Sequence, residues 1–174
     1  DLIGFAKEHD LKIASIADLI AWRRRNESLV QRTVERAITT RIGGDWRMVI
    51  YTNTVSNIEH IALVKGDISA GDPILVRMHA LDLMADLLGA VSEKREGDEL
   101  ATAMAAIAKA GCGVIVVLRE SIASSLSSMV SQKLNMTSDT SGNRDLRDYG
   151  VGAQILTDLG IRKMILLSDT RPNV

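Results

Sequence analysis

The chain has 174 residues, of which 46% are hydrophobic and 3% aromatic, and its 21 basic and 22 acidic residues give a formal net charge of −1. This composition predicts a globular domain with a single core and excludes a disordered chain. The near-neutral charge excludes the electrostatic binding of nucleic acid or an anionic membrane, the few aromatic residues exclude a base-stacking surface, and no apolar run reaches the roughly 18 residues that cross a bilayer.

The N-terminal residues predict two helices with a short strand between them. Residues 2–9 are typical of the end of a helix that begins outside the chain, and residues 11–14 are apolar enough for a strand. Ser15 favours an N-cap for a helix over residues 16–25, because Asp18 stands three residues later, where a capping box requires its acidic partner.

The next part of the chain predicts four strands, three of them from alternating apolar and polar residues. Residues 29–40 and 46–52 should form a hairpin, because the glycine-rich residues 43–45 supply a turn between them. Two further strands are expected over residues 59–65 and 74–79.

The second half of the chain predicts alternating helices and strands. A helix is expected over residues 98–109, an apolar strand over 114–118 and another helix over 121–134. An amphipathic helix over 148–159 should precede a short buried strand over 164–167. Together the elements predict an α/β domain with a mixed β-sheet flanked by helices, with hairpins early and a βαβ-like second half.

Cys112 stands between two glycines at the start of an apolar strand, and we interpret it as a small buried residue. It is the single cysteine of the chain, which excludes an internal disulfide and fits a reducing cytoplasm.

Four motifs punctuate this framework: Asp-x-Arg-x-Tyr-Gly at 145–150, Ala-Gln-Ile-Leu-x-Asp-Leu-Gly at 153–160, Glu-His-Ile-Ala-Leu-Val-Lys-Gly-Asp-Ile at 59–68, and Val-Arg-Met-His at 76–79. Together they resemble GTP cyclohydrolase II, a zinc enzyme of riboflavin biosynthesis, over most of the chain. The resemblance implies the α/β fold of that family.

The resemblance also assigns roles to individual residues. It makes Asp145 and Arg147 the catalytic pair, in which the arginine is proposed to attack the nucleotide and the aspartate to assist, and it implies that Arg119 and Arg77 bind the ligand. From the residues alone, Asp145 and Arg147 have a second interpretation. They could form an ion pair that caps a helix beginning at Asp148.

The N-terminal segment carries a different resemblance. Residues 5–20, followed by the basic residues 23–25, resemble the last segment of dihydroxybutanone phosphate synthase, which often precedes GTP cyclohydrolase II in one polypeptide. We therefore expect residues 1–27 to be the C-terminal remnant of an upstream synthase domain. Residues 28–174 would form a GTP cyclohydrolase II-like domain truncated at its C-terminus.

The family's metal ligands are missing from the pattern. The family holds zinc with three cysteines that follow the strand carrying His79, and the matching positions here are Asp82, Glu93 and Arg95. His79, Asp82 and Glu93 could form a different metal site, since imidazole and carboxylate both bind zinc. The alternative is a strand-to-helix connection whose polar residues are solvated.

The family's nucleotide loop is also altered. Arg119 matches the arginine that opens the loop, but residues 119–126 contain neither its glycines nor its second arginine. Without those glycines, backbone N–H groups lose their close approach to a phosphate.

Three functional hypotheses follow. The first is a domain that has lost GTP hydrolysis and supports a fused dihydroxybutanone phosphate synthase. For this domain we expect no cofactor, and a homodimer is among its expected assemblies. The second is an active cyclohydrolase with zinc in a site without cysteine. The third is a non-catalytic regulatory domain that binds a nucleotide or flavin.

Overall fold

The structure is a computed structural model that describes residues 2–69, 73–91, 98–119 and 142–168. At residues 21, 24–26 and 142–149 it describes the backbone alone. The described elements, in chain order, are helix α1 (Leu2–Glu8), helix α2 (Ile16–Asn26), strands β1 (Val30–Thr40), β2 (Gly44–Asn53), β3 (Glu59–Lys65) and β4 (Ile74–Ala80), a short π-helix (Leu83–Leu87), helix α3 (Glu99–Ala110), strand β5 (Gly113–Leu118), helix α4 (Gly142–Asp158) and strand β6 (Met164–Leu166).

The six strands form one mixed sheet in the order β1-β2-β3-β5-β4-β6. Strands β1, β2 and β3 form an antiparallel meander, and β3 continues antiparallel onto β5. Strand β4 runs parallel to both of its neighbours, β5 and β6. Because β4, α3 and β5 form a βαβ unit after the meander, the predicted α/β fold with a mixed sheet is confirmed.

The sheet has an apolar core on each face, because successive residues of its central strands point to opposite sides. On one face Val114 and Val116 of β5 pack with residues of α4 such as Ile155, which is fully buried. On the other face Ile115 packs with Ile107 of α3, and both are fully buried.

Several predicted boundaries agree closely with the structure. Strand β3 coincides with the predicted 59–65, and α3 ends at Gly111, whose φ of 79° is the left-handed conformation that favours glycine at a helix C-terminus. The capping box at α2 is confirmed, since Asp18 N–H donates to Ser15 Oγ at 3.0 Å and Ser15 N–H donates to Asp18 Oδ2 at 3.3 Å. The predicted helix over 121–134 lies outside the described residues.

Two strand predictions need correction. Residues 11–14 have no strand, and Leu11 and Ile13 are each 56% exposed, because no neighbouring strand pairs with this stretch among the described residues. The predicted buried strand over 164–167 exists as β6, but its three residues are about half exposed, since β6 is the edge strand and pairs only with β4. Hydrophobic residues alone do not distinguish an edge strand from a central one.

The start of α4 also differs from the prediction. The helix begins at Gly142, six residues before the predicted start at 148. Its apolar periodicity begins only at Val151, because that is where the described helix packs into the core, whereas residues 143–148 are mostly polar and carry no periodic signal. In the described ranges no helix combines the length and apolar character that crossing a membrane requires.

Candidate functional site

Three polar residues singled out by the motifs, His60, His79 and Arg119, lie where strands begin or end at one end of the sheet, which we call the strand-end edge. The parallel strands β4 and β5 end together there, with Ala80 beside Leu118, and β3 begins at the same edge because it runs antiparallel to β5. Helix α4 passes close to this edge, since a side chain at Gly152 would collide with Met78. The edge therefore brings together the connection after β4, Arg119 after β5, and the first residues of β3.

Arg77 points to the α3 face of the sheet and is bound inside the protein. Its guanidinium lies 3.2 Å from the Glu99 carboxylate at the start of α3, and it also donates to the Leu167 carbonyl at 3.2 Å. The two charged side chains are only 9% and 16% exposed. The residue predicted to bind a ligand thus connects β4 to α3 and to the end of β6.

The described part of the connection after β4 is a hydrogen-bonded network. Its polar residues His79 and Asp82 have partners within the protein rather than being solvated alone, whereas Glu93 and Arg95 lie outside the described residues. Nε2 of His79 lies 2.8 Å from Oδ2 of Asp86, and the same oxygen accepts from the Asp82 backbone N–H at 2.8 Å. The Asp82 carboxylate caps the π-helix by accepting from the N–H groups of Met84 and Ala85 at 3.1 and 3.2 Å. The His79 and Asp86 side chains are largely buried, which favours their pairing because a buried polar group without a partner is destabilising.

Asp86 was missed by the sequence analysis. The sequence contains one indication of its role: Asp86 is an acidic residue four positions after Asp82 in an otherwise apolar stretch. That spacing does not identify His79 as the partner, since the contact depends on how the chain turns after β4.

Arg119 lies at the end of β5 and contacts the first residues of β3. Its backbone N–H donates to Nδ1 of His60 at 3.2 Å, and its guanidinium, 30% exposed, lies 3.8 Å from the Glu59 carboxylate. His60 itself is 3% exposed. Burial lowers the pKa of His60, and the charge of Arg119 lowers it further, so the imidazole is held neutral.

The backbone positions of Asp145 and Arg147 lie within the first turns of α4. An ion pair that caps a helix beginning at Asp148 is therefore the wrong interpretation, because the helix begins earlier, at Gly142. The side chains of both residues, and all of Glu93 and Arg95, lie outside the described part, so the catalytic assignment stays a prediction.

A zinc site of the family's three-cysteine type does not fit these residues. The chain has one cysteine, Cys112, and it lies before β5, at the opposite end of that strand from Arg119. Cys112 is partly exposed rather than buried as expected, and its thiol donates to the Asp67 carbonyl at 3.1 Å. Burial, followed by the charge of Asp67, raises the pKa of this thiol, which disfavours the thiolate that binds metal. Within the described ranges, no three His, Cys, Asp or Glu side chains are grouped to hold a metal ion.

Fold and site together define an α/β domain with a mixed sheet, whose strand-end edge carries polar residues bound mainly to one another. Residues 31–174 match the family model of GTP cyclohydrolase II, and the chain belongs to that family. The family expected from the motifs is thereby confirmed.

The chain spans less than half the length of the following relatives that it matches. "Riboflavin biosynthesis protein RibBA" of Bacillus cereus (strain B4264) is 40% identical over 180 residues, which cover 97% of this chain and 45% of that protein. The protein of the same name from Mycobacterium ulcerans (strain Agy99) is 39% identical over 185 residues, covering 97% and 43%. Among solved structures, RibBX, a two-domain 3,4-dihydroxy-2-butanone 4-phosphate synthase from A. baumannii, is 33% identical, with a TM-score of 0.59 over 99% of this chain and 44% of that one.

Proposed function

We propose that this chain is part of a riboflavin-biosynthesis protein, in which its GTP cyclohydrolase II-family domain does not hydrolyse GTP and supports a fused dihydroxybutanone phosphate synthase. The observation that carries the loss of hydrolysis is the network after β4. Asp82, at a family cysteine position, caps the π-helix, and His79 shares a hydrogen bond with Asp86. Of the side chains that could bind a metal there, His79 and Asp82 are described, and both already have partners inside the protein.

The position of Arg77 supports the same proposal. A guanidinium that binds a nucleotide must be reachable, whereas this one is buried against Glu99 and Leu167. Its release would break a buried ion pair, which costs several kcal/mol, on the order of 3 to 5. Arg77 therefore acts as a structural residue. Arg119, whose side chain is 30% exposed, is the better candidate for binding a ligand at the strand-end edge.

A fused synthase accounts for the exposed apolar residues before β1. Leu2, Phe5, Ile16 and Trp22 are each more than half exposed, as expected if another domain covers this segment. The family model begins at residue 31, whereas the RibBA relatives align with 97% of the chain and so include most of the segment before it. Residues 1–27 would then complete the synthase domain, in a cytoplasmic protein whose assembly is a homodimer.

Hydrolysis is tested by measuring zinc content and formate release from GTP, side by side with an active GTP cyclohydrolase II. We expect far less than one zinc per chain and no formate. One zinc per chain together with turnover would refute the loss of activity and favour a metal site without cysteine. A thermal shift with nucleotides or flavins that disappears in Arg119→Met would instead favour a ligand-binding regulatory domain.

The supporting role is tested in a polypeptide that carries the synthase upstream of this chain. Its synthase activity and oligomeric state are compared with and without residues 28–174. We expect the shortened protein to lose activity or its dimer. Identical behaviour of the two proteins would refute the supporting role.

A further inference from the structure

One side chain of α4 binds the short link between α2 and the sheet. Oε1 of Gln154 accepts from the Leu29 N–H at 2.7 Å, and its Nε2 donates to the Glu27 carbonyl at 3.1 Å. A carboxamide offers an acceptor and donors side by side, so one Gln can hold both backbone groups around Ser28. These contacts join residues 125 and 127 positions apart in the sequence.

The bound link is where α2 stops and the sheet starts. The N–H of Glu27 closes the end of α2 by donating to the Arg23 carbonyl at 2.8 Å. On the other side of the link, the Leu29 carbonyl accepts from the Thr54 N–H at 2.9 Å, next to the end of β2. Gln154 therefore holds the end of α2 to α4, while the sheet holds the start of β1.

The next turn of α4 binds the strands that follow the link. Asp158, four residues after Gln154, accepts from Arg32 Nε of β1 at 2.6 Å and from the Tyr51 hydroxyl of β2 at 2.7 Å. Residues four apart share one face of a helix. One face of α4 therefore binds both the link and the β1–β2 hairpin, while Ile155 anchors the helix in the core with no exposed surface.

We infer that Gln154 is a positioning residue that fixes the segment carrying α1 and α2 to α4, so that the domain's support of a synthase passes through this side chain. The inference deepens the proposed function and rests on it for its second half. The first half, the hold on the link, depends only on the two hydrogen bonds described. Helix α4 also carries Asp145 and Arg147 in its first turns and passes close to the strand-end edge at Gly152, so the hold connects the segment with a helix next to that edge.

Two variants separate the two hydrogen bonds. Gln154→Met keeps the length of the side chain and removes both bonds, whereas Gln154→Glu keeps an acceptor for Leu29 and loses the donor to Glu27. Thr157→Val is the matched control on the same helix, because the Thr157 hydroxyl donates only to Ala153 of its own helix, at 2.8 Å. Circular dichroism of each variant establishes that it folds.

The hold on the link is measured by residue-resolved amide hydrogen exchange of the full chain. We expect the Leu29 amide to exchange roughly three- to tenfold faster, or more, in Gln154→Met, as the loss of one net hydrogen bond implies. Gln154→Glu should retain the protection of Leu29, and Thr157→Val should match the wild type. Unchanged Leu29 exchange in folded Gln154→Met would overturn the inference.

The effect of Gln154 on the synthase is measured in the fused polypeptide. We expect Gln154→Met to reproduce part of the loss of synthase activity or dimer caused by removing residues 28–174, and Thr157→Val to reproduce none. A loss on removal that Gln154→Met does not share would overturn the route through Gln154. If removal itself changes nothing, the proposed function fails, the effect of Gln154 on the synthase fails with it, and the exchange data alone decide the hold on the link.

Discussion

Nε2 of His79 lies 2.8 Å from Oδ2 of Asp86, and the two side chains are only 2% and 9% exposed. The pair joins the end of β4 to the π-helix that follows it. This is the stretch where the resemblance to the family implies metal ligands. A hydrogen bond between two side chains and a bound metal are alternative ways to order such a connection. Here the same Asp86 oxygen accepts a second hydrogen bond, from the backbone N–H of Asp82.

Removal of the Asp86 carboxylate should destabilise the domain. Asp86→Ala leaves the buried His79 imidazole and the Asp82 N–H without their acceptor, and we expect a loss of about 2–3 kcal/mol in the free energy of unfolding. Asp86→Asn retains one oxygen acceptor and should lose less. Urea unfolding measures both variants, and an Asp86→Ala value within about 0.5 kcal/mol of wild type would contradict a structural role for the pair.

Chelation should leave the stability of the domain unchanged. A metal that binds only the folded state adds to its stability, so its removal lowers the unfolding midpoint. Because the His79 and Asp82 side chains already have partners inside the protein, we expect the same thermal midpoint with and without a strong zinc chelator. An active GTP cyclohydrolase II serves as the control. A fall of several degrees that added zinc reverses would contradict the prediction.

The buried ion pair of Arg77 and Glu99 should contribute far more than an exposed one. Glu99→Ala leaves a guanidinium charge in a largely buried position, and we expect a loss of about 2–4 kcal/mol. The control is Glu35→Ala, which breaks contacts to Arg32 and Arg47 whose side chains are about 40% exposed, and it should cost at most about 1 kcal/mol. Equal losses in urea unfolding would show that burial of the Arg77 pair has no effect.

The sequence predicted what depends on local pattern and missed what depends on distant partners. Strand β3 was predicted to the residue because the apolar residues 61–64 are soon followed by Gly66, and the α2 cap because Ser15 and Asp18 are close in the chain. Residues 11–14 resemble a strand equally well, but a strand also needs a neighbour that local pattern does not reveal. Likewise the exposure of β6 follows from its place at the sheet edge.

The candidate site shows the same division. The structure shows that the ends of the parallel strands β4 and β5 lie together. The positions of His79 and Arg119 at those strand ends followed from the motifs. The roles of Asp86 and Gln154 did not, since Asp86 meets His79 only through the π-helical turn and Gln154 binds a link more than a hundred residues earlier. Arg77 was assigned from its motif to a ligand, and only its burial beside Glu99 reveals its structural contacts.

A side chain at Gly66 should be tolerated much less well than one at Gly89. Both glycines have positive φ, 66° and 64°, so alanine carries a similar backbone strain of about 1 kcal/mol at each. A Cβ at Gly66 would also collide with the Gly111 carbonyl oxygen, whereas the space around Gly89 is open. We expect Gly66→Ala to lose at least about 1 kcal/mol more than Gly89→Ala in urea unfolding. Equal losses would contradict the close approach of the two backbones.

The buried imidazole of His60 should make stability depend on pH below neutrality. In the unfolded chain this histidine binds a proton with a pKa of about 6.5, whereas burial and then Arg119 lower its pKa in the folded protein. Between those two pKa values the unfolded state binds more protons, so the free energy of unfolding falls as pH falls below about 6.5. The contribution of the neutral His60 imidazole to stability is complete above about pH 6.5. It is lost as pH falls through the pKa that His60 has in the folded protein.

His60→Gln isolates this contribution, since its side-chain oxygen can still accept from the Arg119 N–H and does not titrate. Urea unfolding at about pH 7.5 and 5.5 should show a larger loss of stability on acidification in the wild type than in His60→Gln. Carboxyl groups interfere little in this range. Burial raises the pKa of Asp158, for example, but hydrogen bonds from Tyr51 and Arg32 bring it below its usual value, so it titrates at more acidic pH. If both proteins lose the same stability between the two pH values, His60 does not resist protonation in the folded domain.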